Sequence, residues 1–329
     1  PSLRMDEADN DCCLCTVAAW GVGIAIVLFL ARKWIKGGQF TERVSAKGKI
    51  AVVTGANTGL GLETVRELNL RGAKVYMLCR NEDRANEGKI KLVKMGCDAT
   101  RLIFVRCDLA SFASVREAAK KMEAAESHID ILVNNAGVMY LPKFELTEDK
   151  HEMTWQSNHL GPFLLTELLL PLLKKAEEGR IVNVSSLLHE HSKALDLDTI
   201  DDKSQFGIMA PYNRTKLANV MHARELTRRL RAEGNHTVTI NSLHPGACIS
   251  DLGRHIFIGR PPVTYISRWF LKTERDGAQT SLYLALSKHA KGVSGCYFAD
   301  CKRKSESTVA LDDLACKQLY DYSIKAVGL

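Results

Sequence analysis

The chain is predicted to be an α/β protein, a doubly wound parallel sheet of about seven strands preceded by an N-terminal transmembrane helix. Three observations predict it. From Gly48 onward, short β-branched runs alternate with segments of helical periodicity, the pattern of parallel strands joined by crossover helices. Those runs carry apolar residues on both faces, so helices must cover both sides of the sheet. Ahead of them, an uncharged run of roughly twenty residues has the length a helix needs to cross a bilayer.

That run, "CCLCTVAAWGVGIAIVLFLA", extends from Cys12 to Ala31 and follows a tail of residues 1–11. A removed signal peptide would want a basic region before it, but the flank "MDEADND" is acidic. A buried core helix is the other alternative. "RKWIK" comes next, with Trp34 at interface depth, and the positive-inside rule then places the downstream chain in the cytosol. Cys12, Cys13 and Cys15, near the membrane edge, are candidates for acylation. The ten cysteines do not fall into paired C-x-x-C motifs with metal spacing and read as free thiols of a reducing compartment.

After a linker of residues 32–47, one catalytic domain is expected over residues 48–329, without internal repeats. Its strands are expected at Lys49 to Gly55, Ala73 to Cys79, Arg101 to Asp108, Ile129 to Gly137, Gly179 to Ser186, His236 to Gly246 and, more briefly, Gly295 to Phe298. Segments such as "ASVREAAKKMEAAE" and "TELLLPLLKKAEE" supply the helices between them. The net charge of +7 is modest for 329 residues, and no basic run is interleaved with aromatics, which argues against a nucleic-acid partner.

The first expected strand runs into "TGANTGLG", with Gly55, Gly59 and Gly61, and then a helix, "LETVRELNLRG". Glycines at such a turn let the backbone approach a pyrophosphate, which then rests on the amides of the helix N-terminus, as in a Rossmann-type fold. The second strand ends "YMLCRNEDR", with Arg80 where an NAD site would want an acid for the ribose. An arginine there can instead pair with a 2′-phosphate, which favours NADP(H). In "APYNRTKLANV", Tyr212 and Lys216 stand four residues apart, on one face of a helix. That spacing alone fits a solvated surface pair as well as a proton-transfer device.

Taken together, these motifs resemble the short-chain dehydrogenase/reductase superfamily, from about Gly48 to the C-terminal region. "NNAG" (Asn134 to Gly137), "CDLAS" with Asp108, "SNHLGPFLLT" with Asn158, "VNVSS" with Ser186, the Tyr212/Lys216 pair, and "HPG" with Pro245 and Gly246 carry the likeness. The resemblance implies four catalytic residues, Asn158, Ser186, Tyr212 and Lys216, with Ser185 as the alternative serine. It implies cofactor contacts from Gly55, Asn57, Thr58, Gly59, Leu60, Gly61, Arg80, Asp108, Leu109, Asn135, Ala136, Gly137, Tyr212, Lys216, Pro245 and Gly246, with Ser250 as a contact to the nicotinamide carboxamide. Tyr212 would give a proton to the carbonyl oxygen, its pKa lowered by Lys216 and the oxidised nicotinamide. Ser186 would hydrogen-bond the oxyanion, and Asn158 would hold a water leading from the lysine to solvent.

Ser186 and Tyr212 are separated by an acidic, histidine-bearing insert, expected to be a loop beside the substrate entrance. His189 and His191 lack a third ligand at suitable spacing, so no metal is expected. "YNRTKLANV", "HPGACISDL", "RDGAQTSLYLAL" and "GCYFADCK" resemble the retinol dehydrogenase subgroup, especially its microsomal, NADP-preferring members. That implies a membrane-anchored reductase of retinal or related lipid aldehydes, at the endoplasmic reticulum with the catalytic domain facing the cytosol. Gly253 to Lys272, mixing Ile256, Phe257, Trp269 and Phe270 with arginines, would be a lid, a bilayer-surface segment or a packed loop. A reductase of steroids or other hydrophobic ketones and a non-catalytic cofactor-binding scaffold are the competing readings. Whether the chain forms a homo-oligomer is open at this point.

Overall fold

The computed structural model describes residues 6–248 and 271–329, with side chains from Trp20 on. Its sheet has strands β1 (Ile50–Thr54), β2 (Lys74–Cys79), β3 (Leu102–Arg106), β4 (Ile131–Asn134), β5 (Gly179–Val184), β6 (Val238–His244), β7 (Tyr297–Ala299) and β8 (Lys302–Lys304). Their order is β3-β2-β1-β4-β5-β6-β7-β8. The first seven are parallel and β8 pairs antiparallel with β7. The order reverses between β1 and β4, and the crevice at the carboxyl ends of those two strands is where ligands bind in open α/β sheets.

The count of about seven becomes eight. β8 is the exposed tripeptide Lys302-Arg303-Lys304, with no apolar residue to mark it as a strand. It closes on β7 through the two-residue turn Asp300-Cys301, both with positive φ (52° and 57°), the geometry that matches the twist of a tight hairpin.

Helices α2 (Gly59–Leu70), α3 (Glu82–Lys94) and α8 (Glu274–Leu286) cover one face of the sheet, through Val65, Leu92 and Leu282 among others. The other face is covered by α4 (Phe112–Ala125), α6 (Gly161–Lys174), α7 (Ala210–Ala232) and α9 (Asp313–Ala326). Val115, Leu169, Leu217 and Leu319 pack there around Trp155 and Phe163. Each of these side chains contributes about 1.5–3 kcal/mol by leaving water. The two-sided burial explains why the central strands read as continuous apolar runs.

At the N-terminus, α1 spans Asp6–Lys36 and exposes Trp20, Ile24, Phe29, Leu30 and Trp34. Among the described residues no helix is long and apolar enough to cross a membrane. The anchor expected over residues 12–31 falls partly outside the residues whose side chains are described. The expected linker is docked on the domain rather than strung free. Phe40 and Ala46 are buried, Arg71 Nη1 donates to the carbonyls of Glu42 (2.8 Å) and Val44 (3.1 Å), and Arg32 Nη1 reaches the Leu271 carbonyl at 3.0 Å.

Candidate active site

A cleft of about 650 Å³ opens at the carboxyl ends of β1, β4 and β5. Fifteen of the expected cofactor residues line it: Gly55, Asn57, Thr58, Gly59, Leu60, Arg80, Asp108, Leu109, Asn135, Ala136, Gly137, Tyr212, Lys216, Pro245 and Gly246. Ser186 lines it as well.

The dinucleotide end is shaped by absent side chains. Gly55 takes a φ of 63°, and a Cβ there would press on Ala136 at 3.0 Å. A Cβ on Gly61 would stand 2.2 Å from the Gly55 carbonyl oxygen and 2.5 Å from Asn135 Nδ2. Gly61 is buried and is not among the residues lining the cleft, so it packs beneath the turn. Thr58 caps α2 with extended backbone and no side-chain hydrogen bond, and no acid occupies the first helical turn. The amides and positive dipole end of α2 therefore face the cleft, which suits a pyrophosphate. Thr54 ties the turn to the next strand: its Oγ1 accepts from the N–H groups of Asn135 and Ala136, both at 2.9 Å. Asn135 Nδ2 returns a 2.9 Å bond to the Thr54 carbonyl.

Farther along the cleft, the Asp108 carboxylate accepts from Ala110 N at 3.0 Å. Arg80 is exposed at the end of β2, and Asn81 caps α3 by accepting from Arg84 N at 2.8 Å. Asn81 and Arg84 also line the cleft, which the strand pattern did not indicate because they belong to the cap and first turn of the helix after it.

At the other end, the four expected catalytic residues converge. Asn158 lies in a π turn, Gln156–Leu160, between α5 (Met153–Trp155) and α6. Pro162 has no N–H to return to the Asn158 carbonyl four residues back, a physical reason for the helix to widen there. Asn158 is buried, with Oδ1 accepting from Val138 N (2.7 Å) and Nδ2 donating to Val138 O (2.8 Å). It thereby braces the strand-four loop from behind the cleft wall. A Cβ on Gly137 would lie 3.3 Å from Asn158 Oδ1 and 3.7 Å from Lys216 Nζ, which places these three groups side by side.

The two candidate serines have different partners. Ser185 is buried and donates to the Lys216 carbonyl at 2.6 Å, whereas Ser186 hydrogen-bonds Tyr212. Ser186 Oγ accepts from Leu188 N at 3.2 Å.

Lys216, on α7 one turn after Tyr212, donates from Nζ to the Val184 carbonyl at 2.8 Å and lies 5.2 Å from the centroid of the Tyr212 ring. Burial lowers its pKa to about 8. For Tyr212, burial raises the pKa above the ordinary phenol value, against the lowering hydrogen bond from Ser186. In the polypeptide by itself, removing a phenolate from water outweighs the hydrogen bond from Ser186; the expected lowering also called on the oxidised nicotinamide. A phenol held neutral in this way keeps its proton at neutral pH.

Sequence reasoning passed over Tyr140 and His244, and weighed His189 only as a metal ligand. Tyr140 lines the cleft with a φ of 57°, left-handed backbone that a non-glycine residue seldom adopts. His244 ends β6 in the cleft wall, its pKa lowered to about 4 chiefly by burial. His189 is fully buried while His191 is exposed, so the insert opens with a packed turn, Leu187–His191, rather than a free loop. Leu187 and Leu188 line the cleft, so the insert does stand beside it. Ser250 and most of Gly253 to Lys272 lie outside the described residues; Leu271 lines the cleft.

Comparison with known proteins agrees with this geometry. Residues 49–259 match the short chain dehydrogenase family. Retinol dehydrogenase 14 of Mus musculus is 42% identical, over 86% of each chain. The chloroplastic short-chain dehydrogenase TIC 32 B of Brassica napus is 39% identical, over 87% of this chain and 91% of its own. A crystal structure of an uncharacterized protein from Mycobacterium paratuberculosis superposes with a TM-score of 0.71 at 28% identity, covering 89% of this chain and 98% of that one. The chain belongs to the short-chain dehydrogenase family. It is an oxidoreductase acting between CH–OH and C=O, built to bind a nicotinamide dinucleotide, and among its relatives it resembles retinol dehydrogenases.

Proposed function

We propose that the protein is a membrane-anchored, NADP(H)-dependent reductase of all-trans-retinal or a related lipid aldehyde, with Tyr212 as proton donor. The observation that carries the reading is the buried, neutral Tyr212 phenol, hydrogen-bonded by Ser186 with Lys216 behind it, in the lining of a glycine-walled cleft. Bound NADPH supplies the hydride. The α2 N-terminus and the Gly55 turn would hold its pyrophosphate, Asp108 its adenine and Arg80 its 2′-phosphate. As negative charge grows on the carbonyl oxygen, Ser186 donates a hydrogen bond to it and Tyr212 passes its proton. Lys216 stabilises the phenolate that remains. Lys216 then passes a proton to that phenolate, and a water held at Asn158, which also keeps the neighbouring loop in place, links the lysine to solvent so that its own proton is replaced.

Support for an apolar substrate comes from Met139, Leu141, Leu187, Leu188 and Leu271 in the cleft wall, and from the retinol dehydrogenases among the relatives. The anchor rests on the uncharged run Cys12 to Ala31 within α1, on the exposed apolar side chains from Trp20 on, and on Arg32, Lys33 and Lys36 at its end. The membrane is that of the endoplasmic reticulum, with the catalytic domain on the cytosolic side. The test compares NADPH-dependent initial rates of detergent-solubilised protein on all-trans-retinal, a medium-chain aldehyde and a steroid ketone. A clear preference for retinal is expected; activity on the steroid alone would remove the retinoid reading.

The pH dependence follows from Lys216. Its cation is present below its pKa of about 8 and is lost above it, so the stabilisation of the phenolate is lost in the same direction. Carbonyl reduction is expected to be level up to about pH 8 and to fall above it. A rate rising through that range would contradict Lys216 as the charged partner.

A further inference from the structure

The peptide unit that follows Ser186 is held at both ends by imidazoles. Its carbonyl, that of Ser186, accepts from His189 Nδ1 at 2.8 Å. Its N–H, that of Leu187, donates to His244 Nδ1 at 3.1 Å. The two rings have fixed and opposite roles. His189 Nε2 accepts from the Ser307 N–H at 3.2 Å, so the ring proton of a neutral His189 must be on Nδ1, directed at the Ser186 carbonyl. His244 Nδ1 must be bare to accept, which puts its proton on Nε2. Both rings are held neutral chiefly by burial. His189 is fully buried and lies 4.6 Å, centroid to centroid, from the Tyr297 ring on β7, and His244 is the last residue of β6. Both rings are therefore anchored in the sheet, although Ser186 is on a loop.

We infer that His189 and His244 are positioning residues that fix the Ser186–Leu187 peptide, and through it aim the Ser186 hydroxyl at Tyr212 and the reacting oxygen. The link is short. Ser186 Oγ accepts from the Leu188 N–H, one peptide beyond the clamped one, which leaves the hydroxyl proton to be donated into the cleft. A clamp matters here because Ser186 lies in the turn between β5 and the insert, and a displacement of about 1 Å of a catalytic group can cost on the order of a hundredfold in rate. It also gives the Ser307 segment, through its N–H on His189, a task at the site.

The inference rests on the proposed role of Ser186, and the test separates the two. NADPH-dependent reduction of all-trans-retinal and the NADPH dissociation constant are measured for wild type, Ser186→Ala, His189→Leu, His189→Asn and the double variant Ser186→Ala/His189→Leu. His189→Leu is expected to lower kcat by roughly tenfold to a hundredfold, with NADPH affinity within about twofold of wild type. His189→Asn, whose Nδ2–H can take the place of the Nδ1–H, is expected to recover most of that loss. The double variant is expected to be no slower than Ser186→Ala alone, because an aiming residue has nothing left to aim. His244→Asn, which keeps an acceptor, should likewise outperform His244→Leu. If Ser186→Ala keeps the wild-type rate, the reading of the site falls and the clamp falls with it. If Ser186→Ala is slow while His189→Leu matches wild type, or if the two losses multiply in the double variant, the clamp alone is overturned. Loss of rate in parallel with loss of NADPH affinity, without recovery by asparagine, would assign His189 a merely structural role.

Discussion

Tyr212→Phe is expected to lower NADPH-dependent carbonyl reduction by about a thousandfold while leaving NADPH binding nearly unchanged, the effect of deleting a positioned general acid. The substitution removes one oxygen from a buried ring and leaves its packing on α7 in place. The hydroxyl is the part of that ring hydrogen-bonded by Ser186, and no other phenol shares that position. Tyr140 lies close enough to influence Tyr212 electrostatically, but it belongs to the loop after β4. Parallel loss of cofactor affinity and rate would show that Tyr212 acts by binding alone. Retention of rate would transfer the proton to another group.

Arg80→Asp is expected to reduce kcat/KM with NADPH by roughly a hundredfold and to leave NADH within a few-fold, since it replaces a charge-assisted partner of the 2′-phosphate by a like charge. With the ribose 2′-hydroxyl of NADH, the new carboxylate is a suitable acceptor, so the preference is expected to invert. Arg80 is exposed at the cleft's rim, immediately after β2, where the change costs the fold little. Equal losses with both cofactors would remove Arg80 as the reader of the phosphate and turn attention to Asn81 and Arg84 on the same rim.

Most of the sheet was legible because its strands are buried on two faces. β1, β2, β4 and β5 carry their burial in apolar composition, and the expected ranges overrun them chiefly where the chain turns into the cleft, as at Asn135 to Gly137 and Ser185 to Ser186. β8 was not legible. It is held by backbone pairing and by the backbone conformation of Asp300 and Cys301, and neither leaves an apolar trace. In the site, residues belonging to contiguous motifs were found, because a motif fixes local geometry. Residues brought in by tertiary packing were not. His189 lay inside an insert that composition marked as polar, yet its ring is buried by Tyr297 and by Ser307, more than a hundred residues away. The docked segment from Gly37 to Ala46 was likewise unreadable, since its hold comes from distant residues: Arg71 on the carbonyls of Glu42 and Val44, Gln279 on the Phe40 N–H and Ser287 on the Glu42 carboxylate. The sign of the Tyr212 shift depended on its depth of burial, which spacing on a helix does not reveal.

The most direct test of the central claim, that Tyr212 completes hydride reduction of a carbonyl in this cleft, is isotopic. NADPH carrying deuterium at the transferable position is mixed with all-trans-retinal and either wild type or Tyr212→Phe, and deuterium is then measured at the carbinol carbon of the retinol formed. The account predicts one deuterium per product molecule from wild type and almost no product from Tyr212→Phe at saturating cofactor. Labelled product formed at comparable rates by both proteins would contradict it.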